Sequence, residues 1–150
     1  MNKILPLDFK TLEEIDAFVR QTDDINFLPE DLQILVVLRD YKKFTKIVNP
    51  SEKVKLATVM ACGQSISFMN NPSEQICQTA VSTDGYAIKH IDNPSLQTQL
   101  LAVSQNPYSI WYIDNPSEEV QLMAINNDSN SIEYIKNPSI NVSMLAKLIN

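Results

Sequence analysis

The sequence is poor in the residues on which catalytic and cofactor sites depend. It contains one histidine, two cysteines and two glycines among its 150 residues. A zinc site needs several His, Cys or carboxylate ligands, and His90, Cys62 and Cys77 do not form such a set. Gly63 and Gly85 are too far apart in the chain to form a phosphate-binding glycine loop. We therefore expect no cofactor and no metal, and an enzyme is the least favoured function.

Long apolar stretches and an excess of positive charge are also absent. No run approaches the roughly 18 apolar residues of a membrane-spanning helix, and none follows Met1 as a signal peptide would require. The 12 Lys and Arg against 18 Asp and Glu give a net charge of −6, which disfavours nucleic acid as a partner. We expect a cytoplasmic protein that binds no membrane and keeps its cysteines reduced.

The sequence has instead one tripeptide, Asn-Pro-Ser, that occurs five times with a constant 22-residue period. A fixed period of this length is typical of a solenoid, in which each repeat packs only on its neighbours. Each repeat is numbered here from its Asn as position one. The five copies begin at Asn49, Asn71, Asn93, Asn115 and Asn137.

Within a repeat the apolar residues follow a helical spacing. Positions six, ten and eleven are apolar or small, as in Val120, Ala124 and Ile125, and they share one helix face. Turn-forming pairs such as Asp84-Gly85 follow, and apolar residues then return with the spacing of a short 3₁₀-like helix. Each repeat is therefore predicted to be a long helix, a turn and a short helix. A leucine-rich repeat with a β-strand is the alternative, but Pro after Asn fits a helix start better than a sheet.

The repeated Asn residues are interpreted as helix caps. An Asn side chain at the N-cap accepts a free backbone N–H of the first turn, and Pro is favoured at the next position. Glu52, Glu74 and Glu118 would then stand at the third helical position, as in a capping box. Five Asn residues in one row could alternatively bind an extended peptide backbone. Capping is preferred because the Pro specifically supports it.

The repeats predict a single all-α domain over residues 1–150: an α-solenoid of 22-residue two-helix repeats with a capping helix at each end. Residues 1–26 form the N-terminal cap, in which Thr11 and Glu14 give a capping box before a helix from about Leu12 to Gln21. Residues 27–48 are a degenerate repeat, and residues 49–136 are four full repeats. Residues 137–150 are a half repeat, whose Lys147 at position eleven suits the outer face of a C-terminal cap.

Residues 80–91, AVSTDGYAIKHI, resemble the repeat of a domain of unknown function found in viral and bacterial proteins. Its units read Ala-Val-x-x-Asp/Asn-Gly-x-Ala-Leu-x-Tyr. The layout of long and short helices is also similar to the leucine-rich repeat variant, a right-handed superhelix. Over about residues 27–150 the resemblance implies a HEAT-like helical repeat protein without catalytic residues. It also suggests a phage or viral protein that binds and inhibits a host factor, such as a defence protein, and a protein of this kind is expected in the host cytoplasm.

The candidate binding residues are those at positions that vary between repeats. Position nineteen holds Ser67, Lys89, Trp111 and Glu133, so Trp111 is predicted to be exposed. Exposed Trp and Tyr side chains are the usual anchors of protein interfaces. The predicted protein-binding patch consists of Trp111, Tyr108, Tyr112, Tyr86 and Lys89.

The preferred function is a non-enzymatic module that binds another protein of unknown identity. Two alternatives stay open at this point. Trp111 can instead fold over a groove between repeats as peripheral core, or the patch can meet its own copy in a self-assembling module. The chain is accordingly expected to be a monomer or a homodimer.

Overall fold

The structure, a computed structural model, describes residues 11–22 and 24–149. Residues 1–10 and 23 of the predicted N-terminal cap and residue 150 of the predicted half repeat lie outside this range. Within the described residues the chain is all-helical, as predicted, with twelve helices and no strand. The α-helices are α1 (Leu12–Gln21), α2 (Glu30–Arg39), α3 (Glu52–Ala61), α4 (Glu74–Thr83), α5 (Leu96–Gln105), α6 (Glu118–Asn127) and α7 (Ile140–Ile149). The 3₁₀ helices are η1 (Tyr41–Lys46), η2 (Gly63–Phe68), η3 (Gly85–His90), η4 (Pro107–Tyr112) and η5 (Ser129–Tyr134).

From α2 onward the long helices begin at a constant interval, equal to the period of the sequence repeat, and one 3₁₀ helix lies between each pair. Each long helix contacts the next long helix and the 3₁₀ helices before and after it, and each 3₁₀ helix contacts the next. Within the described residues, elements further apart along the chain do not pack on one another, and the side chain of Lys43 in η1 is the one that reaches past α2 to the end of α1. The helices therefore form two layers, one of long and one of short helices, in which every element packs on its sequence neighbours.

The core lies between the two layers and is built from the apolar positions that the sequence indicates. In α4, Ile76, Ala80 and Val81 are fully buried, and Ile88 of η3 packs with them. Burial of a branched side chain of this size contributes roughly 1.5–3 kcal/mol. Close approach of neighbouring repeats explains Gly85, because a Cβ there would lie 2.6 Å from the Ala102 carbonyl oxygen in α5.

Helix α1 has the predicted bounds and the predicted capping box. The Glu14 N–H donates to Thr11 Oγ1 at 3.2 Å, and the Thr11 N–H donates to the Glu14 carboxylate at 3.3 Å. At the other end, Lys43 Nζ donates to the carbonyls of Val19 and Thr22, the latter at 2.7 Å. A cation is favourable there because the last carbonyls of a helix carry partial negative charge. These contacts fasten α1 to the first repeat.

The prediction that Asn caps each long helix is wrong. The N-caps are Ser residues at position three: the Val54 N–H, for example, donates to Ser51 Oγ at 3.3 Å. The helix begins two residues later than expected, so Glu52, Glu74 and Glu118 stand at the first helical position. Ser139 accepts from the Val142 N–H in the same way, so Asn137 caps no helix either.

The Asn residues have a different role, in the turn before each helix. Asn49, Asn71, Asn93 and Asn115 adopt left-handed backbone conformations, with φ between 47° and 54°. Asn is among the few residues besides Gly that tolerate this region. In these four copies Asn-Pro-Ser thus encodes a turn residue, a rigid link and a cap, in that order.

A row of polar contacts joins the starts of successive long helices; we call it the Glu–Ser ladder. In it, the Glu at the first position of one helix accepts a hydrogen bond from the capping Ser of the next. Ser73 donates to Glu52, and Ser95 donates to Glu74 at 2.6 Å. The pKa of Glu74 is lowered by the hydroxyl of Ser95 and then by that of Thr98, which donates at 2.8 Å. The ladder is interrupted at Leu96, which has no acceptor.

The expected polar outer face of the C-terminal helix is only partly present. Lys147 is exposed as predicted, but Ile140, Met144 and Leu148 on the same side of α7 are exposed too. The physical reason is that these residues repeat every four positions, opposite the buried Val142. Helix α7 therefore presents an apolar stripe beside its single charge.

Candidate binding site

All five predicted binding residues come together on the solvent side of the short-helix layer. They line one shallow depression of about 370 Å³ that extends across four successive 3₁₀ helices. Two further residues that sequence reasoning missed complete its lining. We call the whole set the aromatic face: Gln64, Tyr86, Lys89, Tyr108, Trp111, Tyr112 and Tyr134.

The geometry of a 3₁₀ helix explains why these positions share a surface. With three residues per turn, positions sixteen and nineteen are aligned on one side, while positions eighteen and twenty-one are aligned on another. In η4 this places Tyr108 and Trp111 on the solvent side, and it buries Ile110 together with Ile113 just beyond the helix. The η4 cap helps to fix the helix, because the Tyr108 N–H donates to Asn106 Oδ1 at 3.0 Å.

Side chains of neighbouring short helices pair in a regular way, which we call the rung contacts. Position sixteen of one repeat contacts position twenty of the next. Edge-to-face aromatic pairs of this kind contribute about 0.5–1.5 kcal/mol beyond the area they bury. The rungs are Gln64 with His90 at 3.1 Å, Tyr86 with Tyr112 at 5.9 Å between ring centroids, and Tyr108 with Tyr134 at 5.1 Å.

Trp111 lines the aromatic face and is 50 % exposed. Its ring meets Tyr134 edge-on at 6.3 Å, and Lys136 Nζ lies 5.7 Å from its centroid. Lys136 is also 3.7 Å from a carboxylate oxygen of Asp114, so its position is constrained from two sides. Trp111 thus rests on its neighbours without being folded into the core, in line with the predicted exposure.

Tyr108 is held by a charged hydrogen bond. Its hydroxyl donates to Asp128 Oδ2 at 2.5 Å, and this contact raises the pKa of Tyr108 and lowers that of Asp128. Asp128 also caps η5 by accepting the Asn130 N–H at 2.9 Å. Because the Tyr108 hydroxyl already donates its proton to Asp128, this residue offers a ligand its ring and a hydrogen-bond acceptor, but no donor. The charged group left in the lining is Lys89.

His90 lies beside the aromatic face and serves in a rung. Its Nε2 is 3.1 Å from Gln64 Oε1. Burial, and secondly the positive charge of Lys89, lower the pKa of His90, so the imidazole is neutral at physiological pH. A neutral ring bonded to an amide has the character of a packing contact.

Tyr134 could have been found from the sequence, since it follows Tyr112 by one repeat period. Gln64 could not be recognised, because a polar side chain gives no sign of lining an aromatic surface. A missed residue elsewhere is Gln121, which is buried at position seven. Its Nε2 donates to the Pro116 carbonyl at 2.9 Å and its Oε1 accepts the Ser139 N–H at 3.0 Å, which joins two successive turns.

The described residues contain no metal centre, no disulfide and no membrane-spanning helix. There, no group of three His, Cys, Asp or Glu side chains is arranged to hold a metal ion, and both cysteines are free thiols. No described helix has the length and apolar character to span a membrane. Comparisons with family models, curated proteins and solved structures gave no match to this chain.

Proposed function

We propose that the chain is an α-solenoid of 22-residue two-helix repeats that binds another protein through the aromatic face. The observation that carries this proposal is the half-exposed Trp111, set among four tyrosines in one depression. Trp and Tyr are the residues most enriched among interface positions that dominate binding energy. Exposed apolar groups gathered in one patch also mark interaction sites more often than scattered ones do.

The solenoid architecture is supported by the constant period and by the exclusively sequential packing of the described helices. In such scaffolds each repeat is stabilised by its neighbours, so surface positions are free to vary. The residues of the aromatic face come from four consecutive repeats. This is how a repeat protein builds a binding surface that no single repeat possesses.

The partner chemistry follows from the lining. The depression is open and shallow, and its volume of about 370 Å³ suits a few protruding side chains. Aromatic rings recognise apolar and proline-like groups, whereas Lys89 favours a nearby carboxylate. We therefore propose an apolar anchor flanked by an acidic residue as the partner's contribution.

The test compares Trp111→Ala with Phe68→Ala. Phe68 is a matched control: it is 43 % exposed, stacks on Tyr41 and lies outside the aromatic face. Affinity capture with quantitative mass spectrometry should recover the same partner with wild type and Phe68→Ala. With Trp111→Ala we expect at least a tenfold loss, since truncating such an anchor typically costs about 2 kcal/mol or more. Equal recovery with all three proteins would contradict the proposal.

Direct binding can then be followed without a label. Trp111 is the single tryptophan of the chain, so its fluorescence reports on the aromatic face alone. Titration with the purified partner should shift its emission to shorter wavelength as the indole leaves water. A complex that forms without any change in Trp111 emission would place the interface elsewhere.

A further inference from the structure

The free hydrogen-bonding groups of the aromatic face are mainly donors. Among the described residues, the Trp111 indole N–H has no hydrogen-bond partner and Lys89 has no ion-pair partner. The amide of Gln64 is already used, because its Nε2 donates to Asp84 at 2.7 Å and its Oε1 contacts His90. Hydroxyls without a partner there belong to Tyr86, Tyr112 and Tyr134. Since the lining contains no carboxylate, it suits a ligand that presents acceptors.

A proline-rich segment is a peptide that presents acceptors with few donors. Pro has no backbone N–H, so each prolyl residue carries a carbonyl acceptor only. Segments of this kind adopt the polyproline II conformation, which makes no internal hydrogen bonds and leaves the carbonyls free. An α-helix, by contrast, uses its carbonyls internally and would leave the donors of the aromatic face without acceptors. The free donors therefore favour a polyproline II ligand over a helical one.

The spacing of the aromatic rungs favours the same ligand. Tyr86–Tyr112 and Tyr108–Tyr134 are consecutive rungs, one repeat apart. Packed helices lie about 8–10 Å apart, so the rungs are expected to recur at about this distance. A polyproline II helix has three residues per turn with a rise of about 3.1 Å each, so every third residue returns to the same side after about 9.3 Å. A β-strand returns a side chain to the same side after about 6.7 Å, which does not match.

We propose that the aromatic face binds a polyproline II segment with proline at every third position and a carboxylate at one end. This inference rests on the proposed function and names the partner segment for it. Successive prolines pack on the two rungs, and the Trp111 N–H donates to a carbonyl of the segment. Lys89 belongs to the repeat before Trp111, so the carboxylate is expected at the end of the segment that lies over this earlier repeat.

The charge of the chain argues against single-stranded nucleic acid as the ligand. Nucleobases also stack on aromatic side chains, but such sites combine the rings with a positively charged groove that follows the phosphates. Lys89 is the one cation of the lining, and the chain has a net charge of −6. A peptide with a single carboxylate fits this balance better than a strand with one phosphate per nucleotide.

Titration with a model peptide tests the spacing. The probe is DPAAPAAPD with blocked ends, in which a carboxylate at each end allows either direction of binding. The control, DPAPAAAPD, has the same composition and charge, but its central proline is displaced by one position. The probe should shift Trp111 emission to shorter wavelength with a dissociation constant on the order of 100 μM, since an open depression covers only one side of the ligand. The control should bind about tenfold more weakly, because one anchor is lost.

Two results of this titration would overturn the proposal. Equal binding of the two peptides would show that the aromatic face does not read the proline spacing. Absence of any shift at about 1 mM probe would show that affinity is below the range of specific recognition. Tighter binding of a nine-nucleotide oligothymidylate than of the probe would also refute the peptide as ligand.

An exchange of one rung tests whether the peptide uses the rungs. Tyr86→Gln with Tyr112→His copies the Gln64–His90 rung and leaves Trp111 in place as the reporter. The variant should keep its melting temperature and lose about tenfold in affinity for DPAAPAAPD, because one of two ring contacts is absent. Unchanged affinity in the folded variant would exclude the proposed mode of binding.

Lys89→Ser tests the charge contact without changing a ring. The preceding repeat carries Ser67 at this position, so the fold accepts the change. Affinity for DPAAPAAPD should fall about threefold, as expected for an exposed ion pair, and affinity for the neutral NPAAPAAPN should not change. Lys42→Ser is the control, because it removes the same charge from an exposed site of η1 outside the aromatic face. Equal losses with the two variants would refute the carboxylate contact.

The peptide titration and the affinity capture of a partner can fail separately. Capture that depends on Trp111, together with no response to DPAAPAAPD, would overturn the polyproline II ligand and leave the binding role of the aromatic face intact. Specific binding of DPAAPAAPD, together with capture that does not depend on Trp111, would support the ligand and place the captured partner on another surface.

Discussion

Replacement of Glu74 by Leu tests whether the Glu–Ser ladder stabilises the stack. The neighbouring repeat already carries Leu96 at this position, so the change is compatible with the helix start. Glu74 accepts hydrogen bonds from Ser95 and Thr98, and Thr98 is fully buried. A buried hydroxyl that loses its acceptor costs about 1–3 kcal/mol, and a carboxylate in the first helical turn contributes about 0.3–1 kcal/mol. We expect Glu74→Leu to cost about 2 kcal/mol in total.

Thermal and urea unfolding followed by circular dichroism would measure this loss. For a chain of this size, 2 kcal/mol corresponds to a fall in melting temperature of roughly 6 °C. Glu119→Leu is the control, because Glu119 is also in the first turn of a long helix and is exposed like Glu74, but it accepts no hydrogen bond from the next repeat among the described residues. Its replacement should cost only about 0.5 kcal/mol, the helix-dipole contribution alone.

A double-mutant cycle identifies the contact responsible. In a Thr98→Val background the hydroxyl is gone, so Glu74→Leu should cost about 1 kcal/mol less than in wild type. If the losses simply add, or if Glu119→Leu costs as much as Glu74→Leu, the hydrogen bonds across the repeat boundary do not stabilise the fold and the reasoning is refuted.

The same contact predicts a pH dependence. Because the hydroxyls of Ser95 and Thr98 lower the folded-state pKa of Glu74, its contribution is fully present above the unfolded pKa of about 4.3. It is lost as the pH falls through the lower folded pKa. The stability difference between wild type and Glu74→Gln should therefore be constant near neutral pH and shrink below about pH 4.

Three further substitutions probe other parts of the stack, each by its melting temperature. Gly85→Ala should destabilise the fold by about 2 kcal/mol, because the new Cβ would lie 2.6 Å from the Ala102 carbonyl oxygen. An unchanged melting temperature would show that α5 shifts to accommodate the Cβ. Cys62→Asp should stabilise by about 1 kcal/mol, since η2 is the 3₁₀ helix whose N-cap lacks a side-chain hydrogen bond, and a lower melting temperature would contradict this. Tyr86→Gln with Tyr112→His should keep the fold, and a loss above about 2 kcal/mol would show that the rung requires aromatic rings.

The sequence allowed the helical class, the alternation of long and short helices and the bounds of α1 to be predicted. These features depend on local signals that recur: apolar spacing, turn-forming pairs and a capping box at Thr11 and Glu14. Five of the seven residues of the aromatic face were predicted. Tyr86, Lys89, Tyr108 and Trp111 lie at the variable positions sixteen and nineteen of the repeat, and Tyr112 is adjacent to Trp111 in the sequence.

The position of the caps could not be decided in the same way. Asn and Ser are comparably good N-cap residues, and both occur in Asn-Pro-Ser. The three-dimensional structure decides between them. In α4, for example, Asn71 has a left-handed backbone conformation and the helix starts after Ser73. The rung contacts were also out of reach, because pairing of position sixteen with position twenty depends on the offset between stacked repeats. Spacing along one chain does not fix that offset.

The rung contacts indicate which part of the surface is adapted for binding. The Gln64–His90 rung occupies the same place in the stack as the Tyr86–Tyr112 rung, yet it uses a polar hydrogen bond. Stacking of the repeats therefore does not require aromatic rings at these positions, and the fold alone does not account for the cluster of tyrosines around Trp111. Tyr41 and Phe68 also pair between η1 and η2, but the rings around Trp111 are gathered in one depression. An aromatic cluster that the fold does not demand is what a binding site on a repeat scaffold is expected to show.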